Sequence, residues 1–380
     1  MTTITPFRLD IAQTVLDDLR ERLARTRWPE RETVDDRSQG VPLADVQALC
    51  AYWRDMYDWR RCETRLNALG QYRTEIDGLG IHFLHVRSPE PDALPLILTH
   101  GWPGSVVELL DVIGPLSDPA AHGGDPRQAF HVVAPSLPGY GFSDRPADAG
   151  WSLPRIARAW VELMRRLGYD WFVAQGGDWG AGVTTAMAAL RSPELAAIHL
   201  NFVVVPRLPE DREDPTEQEA RALADIDRFT TDGQGYSGLQ STRPQTLGYA
   251  LTDSPAGQAA WIYEKILVWS DPASVLDCDR VLDAIMLYWL PATAASSARL
   301  YWESLAQFSS GTLDLPVACN IFPHEIIRPS RRWAARKFPN IIHWGEPARG
   351  GHFAAFEQPA LFVDELRAAF TAIRPREVRA

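Results

Sequence analysis

This sequence contains no unbroken block of basic residues. Lysine and arginine total 38 against 49 aspartates and glutamates, a formal net charge of −11. That balance makes nucleic acid or an anionic membrane surface an improbable partner. Cysteine is scarce as well: Cys50, Cys62, Cys278 and Cys319 stand far apart with no CxxC pair, so neither a zinc site nor a dense disulfide framework is indicated. No apolar run approaches the ~18 residues of a membrane-spanning helix. The opening MTTITPFRLD has neither the basic nor the apolar region of a secretion signal. The expectation is a soluble, cytoplasmic protein that crosses no membrane.

What is present is ordinary globular material. The 380 residues are 46% apolar and 23% charged, enough for one large domain with insertions. The 14 tryptophans suit an aromatic-walled apolar pocket, although most are expected to be simple core. Residues 1–90 read as an N-terminal meander with the first strands. Asp10 opens a helix carrying Ile11, Val15, Leu16, Leu19 and Leu23 at helical spacing, Gln13 completing a capping-box-like start. Residues 26–43 are irregular, a second helix spans 45–59, and 71–88 form a hairpin about Asp77-Gly78.

Strands and helices alternate from there. Apolar runs at 95–100, 130–134 and 169–174, with an amphipathic helix over 153–169, predict a mostly parallel sheet with helices on both faces. Residues 91–206 and 306–380 therefore form the two parts of one α/β core, with further strands at 198–205, 316–323 and 341–344. Residues 207–305 between them are mainly helical, a cap over the carboxyl ends of the strands where such folds bind ligands.

One local absence carries the most chemistry. Gly176-Gly177-Asp178-Trp179-Gly180 lies between a strand and a helix, the setting of the Gly-x-nucleophile-x-Gly elbow of α/β-hydrolases, but the usual serine is missing. Asp178 has a bland alternative as a helix N-cap. Its company favours chemistry. His352 sits in Arg349-Gly350-Gly351-His352-Phe353 ahead of the last helix, and His100-Gly101-Trp102-Pro103-Gly104 follows an early strand. The Trp102 and Trp179 amides are placed to form an oxyanion hole. Three acids could orient the histidine: Asp314, Glu346 and Glu325, of which Glu325, just past the strand 316–323, is best placed.

A carboxylate nucleophile suits displacement at saturated carbon. It yields an alkyl ester of Asp178 that water, activated by His352, then cleaves. The electrophile is then an epoxide or an alkyl halide, and the cap must choose. Epoxide opening needs acidic donors such as tyrosine, whereas halide departure needs indole N–H or amide groups. The cap holds Tyr236, Tyr249, Tyr263, Tyr288 and Tyr301 beside Trp261, Trp269, Trp289 and Trp302. Tyr236 stands out because Gly233-Gln234-Gly235-Tyr236 reads as a polar turn.

The motifs HGWPGS (100–105), GGDWG (176–180), LTDSPAG (251–257), FPHEI (322–326) and RGGHFAAFEQP (349–359) give the chain its family likeness. It resembles the epoxide hydrolases of the microsomal type, within the α/β-hydrolase superfamily, over nearly its whole length. The resemblance implies Asp178 as nucleophile, His352 as base, Glu325 as its acid, and Tyr236 and Tyr301 as the tyrosines that polarise the epoxide, with Trp102, Trp179 and both tyrosines against the substrate. It implies no cofactor and no metal, a small apolar epoxide and water as partners, and leaves a homodimer open. Membrane-bound members begin with a hydrophobic anchor; MTTITPFRLD is not one, so the likeness is to soluble bacterial members. The rivals are a haloalkane dehalogenase sharing the Asp-Trp-Gly elbow and a dead hydrolase that only binds an apolar ligand.

Overall fold

In the computed structural model, which describes residues 3–307 and 311–373, nine strands form one mixed sheet. They are β1 (Thr5–Pro6), β2 (Gln71–Ile76), β3 (Leu79–Val86), β4 (Leu94–Thr99), β5 (Phe130–Pro135), β6 (Phe172–Gly176), β7 (Leu195–Leu200), β8 (Val317–Asn320) and β9 (Ile341–Gly345). The order is β1-β2-β3-β5-β4-β6-β7-β8-β9. Strands β1, β2 and β3 are antiparallel, β3 joins β5 antiparallel, and every pairing from β5 to β9 is parallel. The α/β-hydrolase fold expected from the sequence is the fold observed. The Asp77-Gly78 turn closes β2 on β3, both residues having the positive φ such a turn needs.

Burial explains the sheet. All six residues of β5 and all five of β6 are buried, as expected of central strands covered on both faces. Helix Leu153–Arg166 covers one face with Leu153, Ile156, Ala157, Trp160, Leu163 and Met164. Between β7 and β8 the chain is helical, with Glu217–Arg228, Gly235–Thr242, Pro244–Asp253, Pro255–Trp269, Cys278–Trp289 and Ala294–Ser304.

Several expected elements are corrected. The first helix is Gln13–Ala24, with Ala12 at its cap and no side-chain cap bond, so Asp10 does not open it. Ile11 precedes that helix and gives its N–H to Glu63 Oε1, while Val15 is 41% exposed. The helix expected over 45–59 ends at Asp55, and a further one, Trp59–Ala68, follows because the Asp58 side chain accepts the Arg60 N–H and starts a new helix. The strand before the elbow is shifted from 169–174 to Phe172–Gly176. Tyr169 has its ring on His131 and its hydroxyl on His85 instead of lying in the sheet. The strand expected at 198–205 is Leu195–Leu200, and Asn201 beyond it accepts from Gln175 at 2.7 Å. Among the described residues, no helix is long and apolar enough to cross a membrane.

Candidate active site

Strand β6 runs directly into Asp178, and helix Trp179–Ala189 starts one residue later. The turn is sharp: Asp178 has φ 49° and ψ −127°, a conformation that costs a non-glycine residue energy and is retained only where its surroundings enforce it. The flanking glycines are the enforcement. A Cβ on Gly176 would overlap the carbonyl of Gly180, and one on Gly180 would overlap that of Thr99 at the end of β4. Asp178 occupies the N-cap position, yet its side chain makes no cap bond. It points away from its own helix, and the capping alternative is overturned.

The carboxylate meets the loop that follows β4. The Trp102 N–H donates to Asp178 Oδ1 at 2.7 Å. His100 holds that loop: its Nδ1 lies 2.9 Å from the Gly101 carbonyl and its Nε2 accepts the Leu137 N–H at 3.2 Å. Both contacts fit a neutral ring, and burial pushes its pKa down to about 4. The Tyr288 hydroxyl adds a bond to the Gly104 carbonyl at 2.6 Å.

The other oxygen of Asp178, Oδ2, faces His352 Nε2 at 3.4 Å. On the far side of the ring, His352 Nδ1 lies 2.7 Å from Glu325 Oε1. Glu325 and His352 are both buried, and Glu325 Oε1 also accepts the Ile326 N–H at 2.6 Å. Burial alone draws the imidazole's pKa down, but Glu325 and Asp178 together outweigh it and hold it well above the ordinary value. Of the two other acids considered, Asp314 is exposed and lies 3.9 Å from Arg191, and Glu346 accepts the Trp344 indole N–H at 2.9 Å.

Aromatic rings enclose this pair. Tyr236, at the start of helix Gly235–Thr242 and not in a loose turn, stacks on Trp102 at 5.1 Å and 11°. Tyr301, on helix Ala294–Ser304, meets the Trp179 ring edge-on at 4.7 Å and Tyr236 at 5.8 Å. Burial, followed by the Asp178 charge, raises the Tyr236 phenol; burial, Tyr236 and Asp178 do the same for Tyr301. Both therefore stay protonated and able to donate. The remaining cap aromatics divide. Tyr249 and Trp302 are exposed, Tyr263, Trp261 and Trp289 are half-buried, and Trp269 packs against His352 at 5.0 Å.

Trp269, named in the sequence only among the cap indoles, is one of three residues whose place at the site the sequence reading missed. Its carbonyl accepts the His352 N–H at 2.9 Å. Glu357 is the second: it accepts from Asp271, Gly351 and Phe353 N–H groups at 2.7–3.1 Å, tying the histidine loop to the end of helix Pro255–Trp269. Glu108 is the third, close enough to the pair for both charges to act on it. The two glutamates interrupt apolar runs, SVVELL and HFAAFE, and an acid in such a run is a signal of a buried, partnered carboxyl.

Sheet order, elbow and the loop after β4 define an α/β-hydrolase with a carboxylate at the elbow. Family models match "Epoxide hydrolase N terminus" over residues 4–109 and "alpha/beta hydrolase fold" over residues 95–215. A protein of Stigmatella aurantiaca with a provisional epoxide hydrolase name is 60% identical, covering 98% of this chain and 86% of that one. Epoxide hydrolase 1 of Sus scrofa is 34% identical over 96% of this chain and 88% of its own. The Aspergillus niger epoxide hydrolase structure superposes with a TM-score of 0.89 at 32% identity, covering 98% of this chain and 97% of that one. The chain belongs to the epoxide hydrolase family and is an enzyme of that class; the comparisons lend no support to a haloalkane dehalogenase.

Proposed function

We propose that the enzyme converts a small apolar epoxide and water to a vicinal diol through a covalent ester on Asp178, beneath a cap formed by residues 207–305. Tyr236 and Tyr301 donate to the ring oxygen while Asp178 Oδ2 attacks a ring carbon. The carbon–oxygen bond of the ring breaks and its oxygen takes a phenol proton. Oδ1 becomes the ester carbonyl, held by the Trp102 amide, with the Trp179 amide as the second donor. His352, oriented by Glu325, then takes a proton from water as the water attacks the ester carbonyl carbon. The ester opens, its alkyl oxygen leaves with that proton as the second hydroxyl, the other water proton passes to His352, and the Asp178 carboxylate returns.

The observation that carries this reading is the unequal placing of the two Asp178 oxygens, one on an amide and one facing His352. It also accounts for how a raised histidine serves as a base. Alkylation neutralises Asp178 and removes one of the two anions that hold the imidazole's pKa up, so the imidazolium gives up its proton, the phenolate left by ring opening is reprotonated, and a proton acceptor appears when the ester does. We further take the enzyme to work in the cytoplasm, which suits its four unpaired thiols. Intact-protein mass spectrometry of His352→Gln with styrene oxide tests the reading: a stoichiometric adduct on Asp178 is expected, and none forms if water attacks the epoxide directly.

A further inference from the structure

We infer that Glu108 holds the hydrolytic water against the Asp178 ester, a role that rests on the covalent reading above. Glu108 lies in the short helical turn Val106–Leu109 that follows the Trp102 loop. Its side chain folds back over that loop, so that a Cβ on Gly104 would run into its Oε1. There it borders a cavity of about 30 Å³ whose wall includes Asp178, His352, Gln175 and Asn201. That exceeds the ~10–15 Å³ a cavity needs to hold one water, with polar groups to bind it.

Some of the other polar groups on the wall bond to one another or to the loop. Gln175 Nε2 donates to Asn201 Oδ1 at 2.7 Å. His100, also on the wall, uses both ring nitrogens on Gly101 and Leu137. Beside Asp178 itself, the titratable side chains left to hold a water are those of Glu108 and His352.

A water at this place has two protons to direct. One goes to His352 Nε2 as the oxygen bonds to the Asp178 carbonyl carbon. Glu108 accepts the hydrogen bond of the other and fixes the oxygen's approach. The alkyl oxygen then leaves with the proton from the imidazolium, the water's second proton passes to His352 and restores the imidazolium, and the water oxygen stays in the Asp178 carboxylate. Charge supports the timing. Burial pushes the Glu108 carboxyl up to about 8; the His352 charge opposes this, and Asp178 adds to it, as does the more weakly felt Glu357. Tyr288 also faces it. A neutral Glu108 does not repel the attacking carboxylate in the first step. When Asp178 is alkylated and His352 gives up its proton, the two opposing charges on Glu108 disappear together.

The test is a single-turnover experiment on the full-length enzyme in excess over styrene oxide, quenched and followed by intact mass. In Glu108→Gln the ester should form within about threefold of the native rate and decay on the order of ten- to a thousandfold more slowly, the range of a misplaced proton-transfer partner. In the steady state kcat and KM should then fall together with kcat/KM nearly unchanged, which loss of folded protein does not produce. Should Glu108→Gln fail to fold, Glu108→Asp carries the test: it keeps the carboxyl and draws it back by one carbon, and the same selective slowing of decay is expected. Native ester decay, or formation slowed as much as decay, overturns the inference. His352→Gln runs as a control; absence of any ester there overturns the covalent reading itself, and this inference with it.

Discussion

The amide of Trp102 reaches Oδ1 of Asp178 across 2.7 Å, which makes the two oxygens of that carboxylate chemically distinct. His352 stands opposite the other one. Replacing Asp178 with Asn keeps the shape and removes the charge. Diol formation should drop below about a thousandth of native, as for loss of a covalent nucleophile. The same variant should lower the His352 pKa, because the Asp178 anion is one of the groups holding it up. Histidine NMR titration of the two proteins measures that shift; an unchanged His352 contradicts the electrostatic account.

The tyrosines are expected to act on the first step alone. Tyr236→Phe and Tyr301→Phe should each slow ester formation on the order of ten- to a thousandfold, the range for removal of a proton donor, and leave ester decay near native. Since both phenols are raised above their usual range, neither deprotonates as pH climbs through 9. A native alkylation rate that falls off between pH 8 and 9 through tyrosine ionisation would count against this assignment.

Gly101 offers a purely geometric test. A Cβ there would overlap Oδ1, Cβ and Cγ of Asp178, so Gly101→Ala has to displace the carboxylate. A shift near 1 Å at a reacting group costs about 10²-fold in rate. We expect kcat/KM to fall by about that factor while the far-ultraviolet circular dichroism stays native. Unimpaired turnover in Gly101→Ala would mean that the position of the carboxylate is not critical.

Much of this site was readable from the chain because its parts are local signals in a fixed order. Asp178 announces itself by two glycines whose bareness the packing demands. Glu325 was selected over Asp314 and Glu346 by its place at a strand's carboxyl end, and its contact with His352 is the one the structure contains. What escaped notice depends on tertiary packing. Trp269 ends a helix with no mark of its own, and only the fold brings its carbonyl to His352. The break at Asp58 was hidden because apolar spacing continues through Tyr57 and Trp59, both of which are buried. Tyr236 was noticed for the wrong local reason, since it starts a helix.

The central claim is that carbon becomes bonded to Asp178 before water enters. A single turnover in oxygen-18 water, with enzyme in excess over epoxide, tests it directly. The first diol released should carry no label, and the peptide containing Asp178 should gain one heavy oxygen. Label in that first diol, with Asp178 unlabelled, would show direct attack of water and contradict the account.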